Sequence, residues 1–489
     1  MPIQPSCSIE GPHVKTKIVA TVGPACEARE RLRELILAGV DVFRLNFAHG
    51  THDWLSGILT SIRSASLELD RPVGILADLA GPKIRLGELP PDGIQLTDGA
   101  RVDFVRAPDP RNPAQLSCTY ERLIDDLQPG DRIMLADGLV AMRVVEKPSS
   151  NDRLVCQVDR PGRIRSRQGV NLPGATLRTP ALTDKDRDDL AWALDNRIDY
   201  VSLSFVRSAA DIVLLREAIA AKRPTMSPGI VAKIEKMEGV DELERILSLV
   251  DAVMVARGDL GVEVDIALVP VLQKQIVRQC NEYGVPVITA TQMLDSMQTK
   301  ETPSRAEATD VANAVLDGSD AVMLSGETAI GIYPIQAVTV MNRIAGEAEK
   351  LLPSLHSRKT SNSSRIRATP VTQAVTLGAG VAADHLSADL IVVATRSGRT
   401  ALAVSNQRRI VPILALSDNA EAVRRMTLYW GVTAVQIPAA GASHEALIQF
   451  VVEWGRQSGL LQSGGRFVLV TSTDWTSQAK DTLLVHVVP

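Results

Sequence analysis

Lys233 and Glu235 stand two residues apart in the apolar run that begins at Ile230. Side chains on a strand alternate faces, so this ammonium and this carboxylate point the same way. A second apolar run, Ala252 to Ala256, ends in Arg257, Gly258 and Asp259, which predicts another carboxylate where a strand gives way to a loop. Two carboxylates and one Lys at neighbouring strand ends suit a divalent ion beside a phosphate. For any one of these residues alone, an ordinary strand-end ion pair is the competing reading. The same kind of placement recurs. Arg44 and Asn46 share a face in FRLNFAHG and lead to His49; Asp78 ends an apolar run and is followed by Lys83 and Arg85; Thr291 ends another; Ser325 and Glu327 close MLSGET.

These groups need a scaffold that brings many strand ends together. Eight apolar runs start at Lys17, Asp41, Val73, Tyr200, Ile230, Ala252, Pro286 and Ala321. The segments between them, such as Glu27 to Leu37, Asp184 to Leu194, Ser208 to Ala221, Leu268 to Glu282 and Ser304 to Leu316, carry helical spacing of apolar residues, as does Glu242 to Val250. Eight strand-helix units in series predict an α/β protein built on a closed (β/α)8 TIM barrel, with its active site at the C-terminal strand ends. An open doubly wound sheet is the alternative. Composition agrees with buried parallel strands: 45% of the 489 residues are apolar and only 3% aromatic, so Val, Ile, Leu and Ala must fill the core.

About 120 residues separate the third strand from the fourth, too many for a βα loop. Within them VDFVR, DRIMLADGLVAMRVVEK and DRLVCQVDR have the alternation and the Asp-Gly turn of hairpins, predicting an inserted β-rich lid domain over 86–177. The barrel then comprises 1–85 and 178–350. A Ser-rich, basic linker over 351–365 leads to a C-terminal α/β domain at 366–489, with a helix over Val371 to Ala383, strands LIVVAT, VPILAL, TAVQI and FVLVTS, and helices at Ala401, Glu421 and Ala442. There Thr395, Ser397, Gly398, Arg399 and Thr400 form a turn between strand and helix of the kind that attracts phosphate.

A net charge of −4 gives no footprint for nucleic acid or an anionic membrane, and no run reaches the roughly 18 apolar residues of a membrane helix. Five scattered cysteines without C-x-x-C spacing suit a reducing cytoplasm with neither disulfide nor zinc site.

Over nearly its whole length the chain resembles the pyruvate kinase family. The resemblance rests on TKIVATVGPA (16–25), RLNFAHG (44–50), GVNLPG (169–174), AKIE (232–235), VARGDLGVE (255–263), ATQMLDSM (290–297) and DVANAVLDGSDAVMLSGETAIGIYP (310–334). It implies phosphoryl transfer from phosphoenolpyruvate to ADP, giving pyruvate and ATP. Glu235 and Asp259 are then expected to hold Mg²⁺, with Mn²⁺ as a substitute, and Lys233 and Arg44 to face the transferring phosphoryl group. Gly258 and Thr291 are expected at the substrate carboxylate, Arg85, His49 and Asn46 at the nucleotide, and Ser325 and Glu327 in the proton relay to enolpyruvate. Members that need K⁺ carry Asn-x-Ser, Asp-Thr and a Glu in G-P-E. This chain has Asn46 and Ala48, Asp78 and Leu79, and Lys83, so the Lys83 ammonium is expected to replace K⁺. Gln168 stands where the family usually has Lys, and Arg167 is the expected substitute. The resemblance further implies a homotetramer and an effector loop at Thr395 to Thr400 for a sugar phosphate or nucleoside monophosphate. The closing stretch TSTDWTSQAKD lacks the Gly-rich loop associated with fructose 1,6-bisphosphate. Two other readings stay open on sequence alone: a catalytically silent sensor of phosphometabolites, and another Mg²⁺-dependent barrel enzyme acting on phosphoenolpyruvate or a pyruvate enolate.

Overall fold

Each of the eight apolar runs forms a buried strand: β1 (Lys17–Thr21), β2 (Val42–Asn46), β3 (Gly74–Asp78), β4 (Tyr200–Leu203), β5 (Gly229–Ile234), β6 (Ala252–Ala256), β7 (Val287–Ala290) and β8 (Ala321–Leu324). The computed structural model describes residues 14–109, 112, 114–175, 178–352, 369–437, 444–472 and 482–489. The eight strands pair in parallel in chain order, and β8 closes on β1 through Lys17 and Ala321, which excludes the open sheet for this part of the chain. Helices cover the barrel where apolar spacing predicted them, for example Asp184–Asp195, Val269–Tyr283 and Arg305–Asp317. Local chemistry sets their ends. Ser304 and Glu307 make a reciprocal capping box, and Gly318 closes the same helix at φ 101°, a conformation that favours glycine.

Two expectations need correction. Glu242 to Val250 is not one helix but the second of two short segments, Met237–Asp241 and Leu243–Leu247. Asp259 is not on a loop either: β6 passes directly into a helix, Arg257–Glu263. Its first turn is pinned by the buried Arg257 side chain, described below, and Asp259 lies in that turn, where exposed N–H groups favour an acid.

The insertion holds a six-stranded sheet. Its Asp-Gly turn joins Arg132–Leu135 to Val140–Glu146 with Ala136, Asp137 and Gly138 all at positive φ, which is why the hairpin was visible in sequence. Met134 and Ala141 pack on Val262, so the insertion rests on the helix that carries Asp259.

The last sheet runs β11-β10-β9-β12-β13, where β9 is Leu390–Ala394, β10 Ile413–Ser417, β11 Val432–Gln436, β12 Arg466–Thr471 and β13 Thr482–Val487. β13, an antiparallel edge strand, was not anticipated. The apolar interior of the barrel, including Val19, Met254 and Met323, is continuous with Ile391 and Val470 of this sheet. Lys17 donates to the Val432 carbonyl at 2.9 Å and the Tyr200 hydroxyl to the Arg425 carbonyl at 2.8 Å. Both belong to first residues of barrel strands, so the C-terminal unit closes the N-terminal end of the barrel and leaves the opposite mouth for chemistry. The expected linker from residue 353 onward, the insertion end at Leu177, the helix start at Ala442 and residues 473–481 of the closing stretch lie outside the described residues.

Candidate active site

Strand register assembles the centre of the site. Asn46 lies opposite Asp78, and Asp78 opposite Ser202, across β2, β3 and β4. The buried Asp78 carboxylate accepts from Arg44 Nε at 2.8 Å and from the Ser202 hydroxyl at 2.5 Å, and Lys233 Nζ is 3.3 Å away. Lys233 Nζ also lies 2.9 Å from Glu235 Oε1 and donates to Ser204 Oγ at 2.8 Å. The other oxygen of Glu235 accepts the Phe205 N–H at 2.6 Å, where Phe205 turns into the left-handed region at φ 55°.

The charges explain how these groups titrate. Burial alone pushes the Asp78 carboxyl up, but the Lys233 and Arg44 charges outweigh it and hold the group at about 2. Burial opposes the Lys233 ammonium, and Asp78 and Glu235 together keep it above the usual Lys value. Glu235 is raised, first by burial and then by the Asp259 charge, with Lys233 pulling the other way. Glu235 and Asp259 thus feel one another as like charges, the condition a bound divalent cation relieves. Among the described residues no group of three or more His, Cys, Asp or Glu stands together for a metal. A two-carboxylate site fits a hard cation that completes its shell with water and ligand oxygens.

Beside these carboxylates, the Gly258 N–H donates to Thr291 Oγ1 at 2.8 Å. Thr291 and Gln292 sit at φ 68° and 54°, a region uncommon for any residue but glycine and least favourable for the β-branched Thr291. Arg257 holds them there. Its guanidinium donates to the Thr291 carbonyl at 2.7 Å and to the Ala290 and Gln292 carbonyls at 3.3 Å, and pairs with Asp310 at 2.7 Å. On the far side, Glu327 is buried and accepts the N–H groups of Leu294 and Ser325 at 3.0 and 2.7 Å; burial raises its carboxyl. The Ser325 hydroxyl is buried and has no hydrogen-bond partner among the described residues. Thr21 links this side to the centre, accepting from Arg44 Nη1 at 3.1 Å and donating to the Leu324 carbonyl at 2.9 Å.

Other expected residues stand further out. Asn46 accepts the Ala48 N–H at 3.0 Å. His49 is kept below the usual histidine value by burial and then by the Arg85, Lys83 and Arg44 charges. Lys83 is exposed and makes no ion pair among the described residues, so the structure does not join it to Asp78, whose charge Arg44 and Lys233 already meet. Arg85 reaches the Arg167 carbonyl at 3.1 Å, while Arg167 itself pairs on the surface with Glu88 and the Gln168 side chain accepts from the Arg165 N–H. In the C-terminal unit Gly398, at φ 82°, donates to Thr395 Oγ1 at 3.2 Å; Arg399 and the buried Thr400 begin the helix Arg399–Ser405, and Arg399 Nε lies 3.4 Å from Ser397 Oγ. Sequence reasoning missed Thr21, Ser202, Ser204 and Arg257. The i, i+2 pair Ser202 and Ser204 in YVSLSF was the available signal.

Residues 13–338 match the barrel domain of pyruvate kinase, and residues 373–486 match that family's alpha/beta domain. The chain belongs to the pyruvate kinase family. It is 39% identical over 455 residues to a pyruvate kinase of Staphylococcus aureus strain MRSA252 and 40% identical over 455 to one of Staphylococcus saprophyticus, each match covering 93% of this chain and 77% of the relative. A crystal structure of a pyruvate kinase from Cryptosporidium parvum superposes with a TM-score of 0.90 at 35% identity, covering 98% of this chain and 97% of the other. Pyruvate kinases depend in general on a divalent metal, in keeping with the paired Glu235 and Asp259.

Proposed function

We propose that the chain transfers the phosphoryl group of phosphoenolpyruvate to ADP, releasing pyruvate and ATP, with Lys233 at the centre of the reaction. The observation that carries this reading is the placement of Lys233 Nζ at the barrel mouth, held charged among Asp78, Glu235 and Ser204. A compact ammonium there stabilises the equatorial oxygens of the phosphoryl group in transit. Arg44, oriented by Asp78 and Thr21, adds a second cation. Glu235 and Asp259 hold Mg²⁺, for which Mn²⁺ can substitute. When bound, that ion neutralises charge on the phosphate oxygens.

Thr291 accepts from the Gly258 N–H, which leaves its own hydroxyl proton for the substrate carboxylate. Gly258 lets that carboxylate approach the main chain. Glu327, whose carboxyl burial raises, and the Ser325 hydroxyl, which has no hydrogen-bond partner among the described residues, supply the proton that enolpyruvate takes up. Asn46, His49 and Arg85 meet the nucleotide phosphates from the rim. Lys83 supplies the charge for which other members recruit K⁺; its effect on His49 supports a place near the nucleotide. The loop from Thr395 to Thr400 takes a sugar phosphate or a nucleoside monophosphate. The chain works as a cytoplasmic homotetramer: exposed Leu483, Val485 and Val487 on β13, beside Leu377 and Val381 of the helix Pro370–His385, give an apolar edge suited to a second copy, and the four described cysteines are unpaired. No described helix is long and apolar enough to cross a membrane.

Pyruvate release from phosphoenolpyruvate, followed with and without ADP, tests the assignment. Release only when ADP is present is expected. Release without ADP points to a different barrel reaction, and none under either condition to a silent sensor.

A further inference from the structure

Glu235 and Asp259, the two carboxylates assigned to the divalent ion, come from different elements and both stand beyond the barrel's hydrogen-bonded ladder. β5 and β6 pair as far as Ile234 opposite Val255. Glu235 directly follows that last pair, and Asp259 lies in the first turn of the helix Arg257–Glu263. Strand register therefore does not fix their separation, although an octahedral cation with ligands at about 2.0–2.1 Å tolerates little error in it. Another contact has to set it.

Lys236 makes that contact. It follows Glu235 in the chain, and its ammonium lies 2.6 Å from Glu263 Oε1, on the last residue of the helix that carries Asp259. The two side chains are 9% and 4% exposed. A pair so enclosed is costly to desolvate, and apolar groups of the same size commonly serve stability as well, so stability gives little reason for it. Holding two elements in one geometry does. The other end of the helix is tied elsewhere, through Arg257 to the carbonyls of Ala290, Thr291 and Gln292 at the end of β7.

Glu263 also meets the inserted domain. Its carboxylate accepts the N–H of Gly174, which sits at φ 73° in the segment that leaves the lid. The neighbouring Val262 packs on Met134 and Ala141, and Met134 pairs with Asn171, a short way before Gly174. The lid is thus seated on two consecutive residues of the helix that carries Asp259, and one of them is the partner of Lys236.

We propose that Lys236 and Glu263 are positioning residues for the divalent-ion site, fixing the spacing of Glu235 and Asp259, and that Glu263 makes this spacing answer to the seating of the lid's exit segment at Gly174. The proposal rests on the assignment of Glu235 and Asp259 to the metal. Mn²⁺ binding to the full chain, read from the free-ion signal in electron paramagnetic resonance, tests it apart from turnover. Lys236→Met removes a positive charge beside the site, which by Coulomb's law alone tightens cation binding, whereas lost positioning loosens it. Binding weaker by roughly tenfold or more is expected, as for other groups that orient metal ligands without touching the metal. Lys236→Met combined with Glu263→Gln removes one charge of each sign and leaves neither partner unpaired. Its melting profile is expected near wild type while its Mn²⁺ binding stays weak. Unchanged or tighter binding in Lys236→Met, or wild-type affinity in the double variant, overturns the positioning role. Asp259→Asn is the control and is expected to lose Mn²⁺ binding; unchanged affinity there, or no binding by wild type, overturns the metal assignment itself. Because coupling is reciprocal, saturating Mn²⁺ is expected to slow amide hydrogen exchange over 170–175 in wild type and not in the double variant. Equal rates with and without Mn²⁺ in wild type, or the same slowing in both proteins, overturn the lid half alone.

Discussion

Asp78 shows how much of the site is settled by single charges. Its carboxyl is held at about 2 against a usual 3.8, so it stabilises the fold in its ionised form. That contribution, about 2 kcal/mol by linkage, is fully present above the usual value and disappears as pH falls from there toward the folded value. The expected outcome is a stability loss over that acid window in wild type and no such step in Asp78→Asn, read by denaturant melts at successive pH. The substitution itself costs roughly 3–5 kcal/mol, because it leaves Arg44 and Lys233 without their buried partner. Lys83 makes a different residue-scale prediction. Activity at saturating Mg²⁺ is expected to be equal with and without K⁺, and Lys83→Glu to acquire a K⁺ requirement; a large drop in wild-type activity on omitting K⁺ contradicts the role given to Lys83. Sequence singled out Arg44, Asp78, Lys233 and Glu235 because charged residues are conspicuous in apolar strands. The hydroxyls of Thr21, Ser202 and Ser204 were not singled out, since such groups are common in strands and only register reveals their partners.

At the scale of elements, the eight strands were legible because they are buried almost throughout and read as mainly apolar runs. The helix that begins at Arg257 was not. Its start depends on a guanidinium reaching carbonyls at the end of β7, more than thirty residues along the chain. β13 also escaped notice, because TLLVHV exposes apolar side chains on its outer face and so lacks a polar alternation. The Arg257 clamp is expected to set how Thr291 and Gly258 present themselves to substrate. Arg257→Lys keeps the charge but loses the fork, so KM for phosphoenolpyruvate should rise roughly tenfold or more while the melting profile stays near wild type. An unchanged KM in a folded variant contradicts the clamp.

For the whole molecule, one end of the barrel is closed by the C-terminal sheet and the other is left to chemistry, with the insertion resting on the helix that carries Asp259. The apolar outer face of β13, with Leu483, Val485 and Val487, is exposed among the described residues. For the proposed tetramer, Val485→Lys is expected to give smaller species than wild type in light scattering after size exclusion; an unchanged mass contradicts the use of that edge. The proposed driver of phosphoryl transfer is the barrel-mouth Lys233, charged and held by groups from several strands. The most direct measurement is ADP-dependent pyruvate release by Lys233→Met, in a variant whose melting confirms the fold. A fall of about 10²–10³-fold in kcat is expected from losing one oriented cation in the transition state. Turnover within a few-fold of wild type contradicts the central role of Lys233.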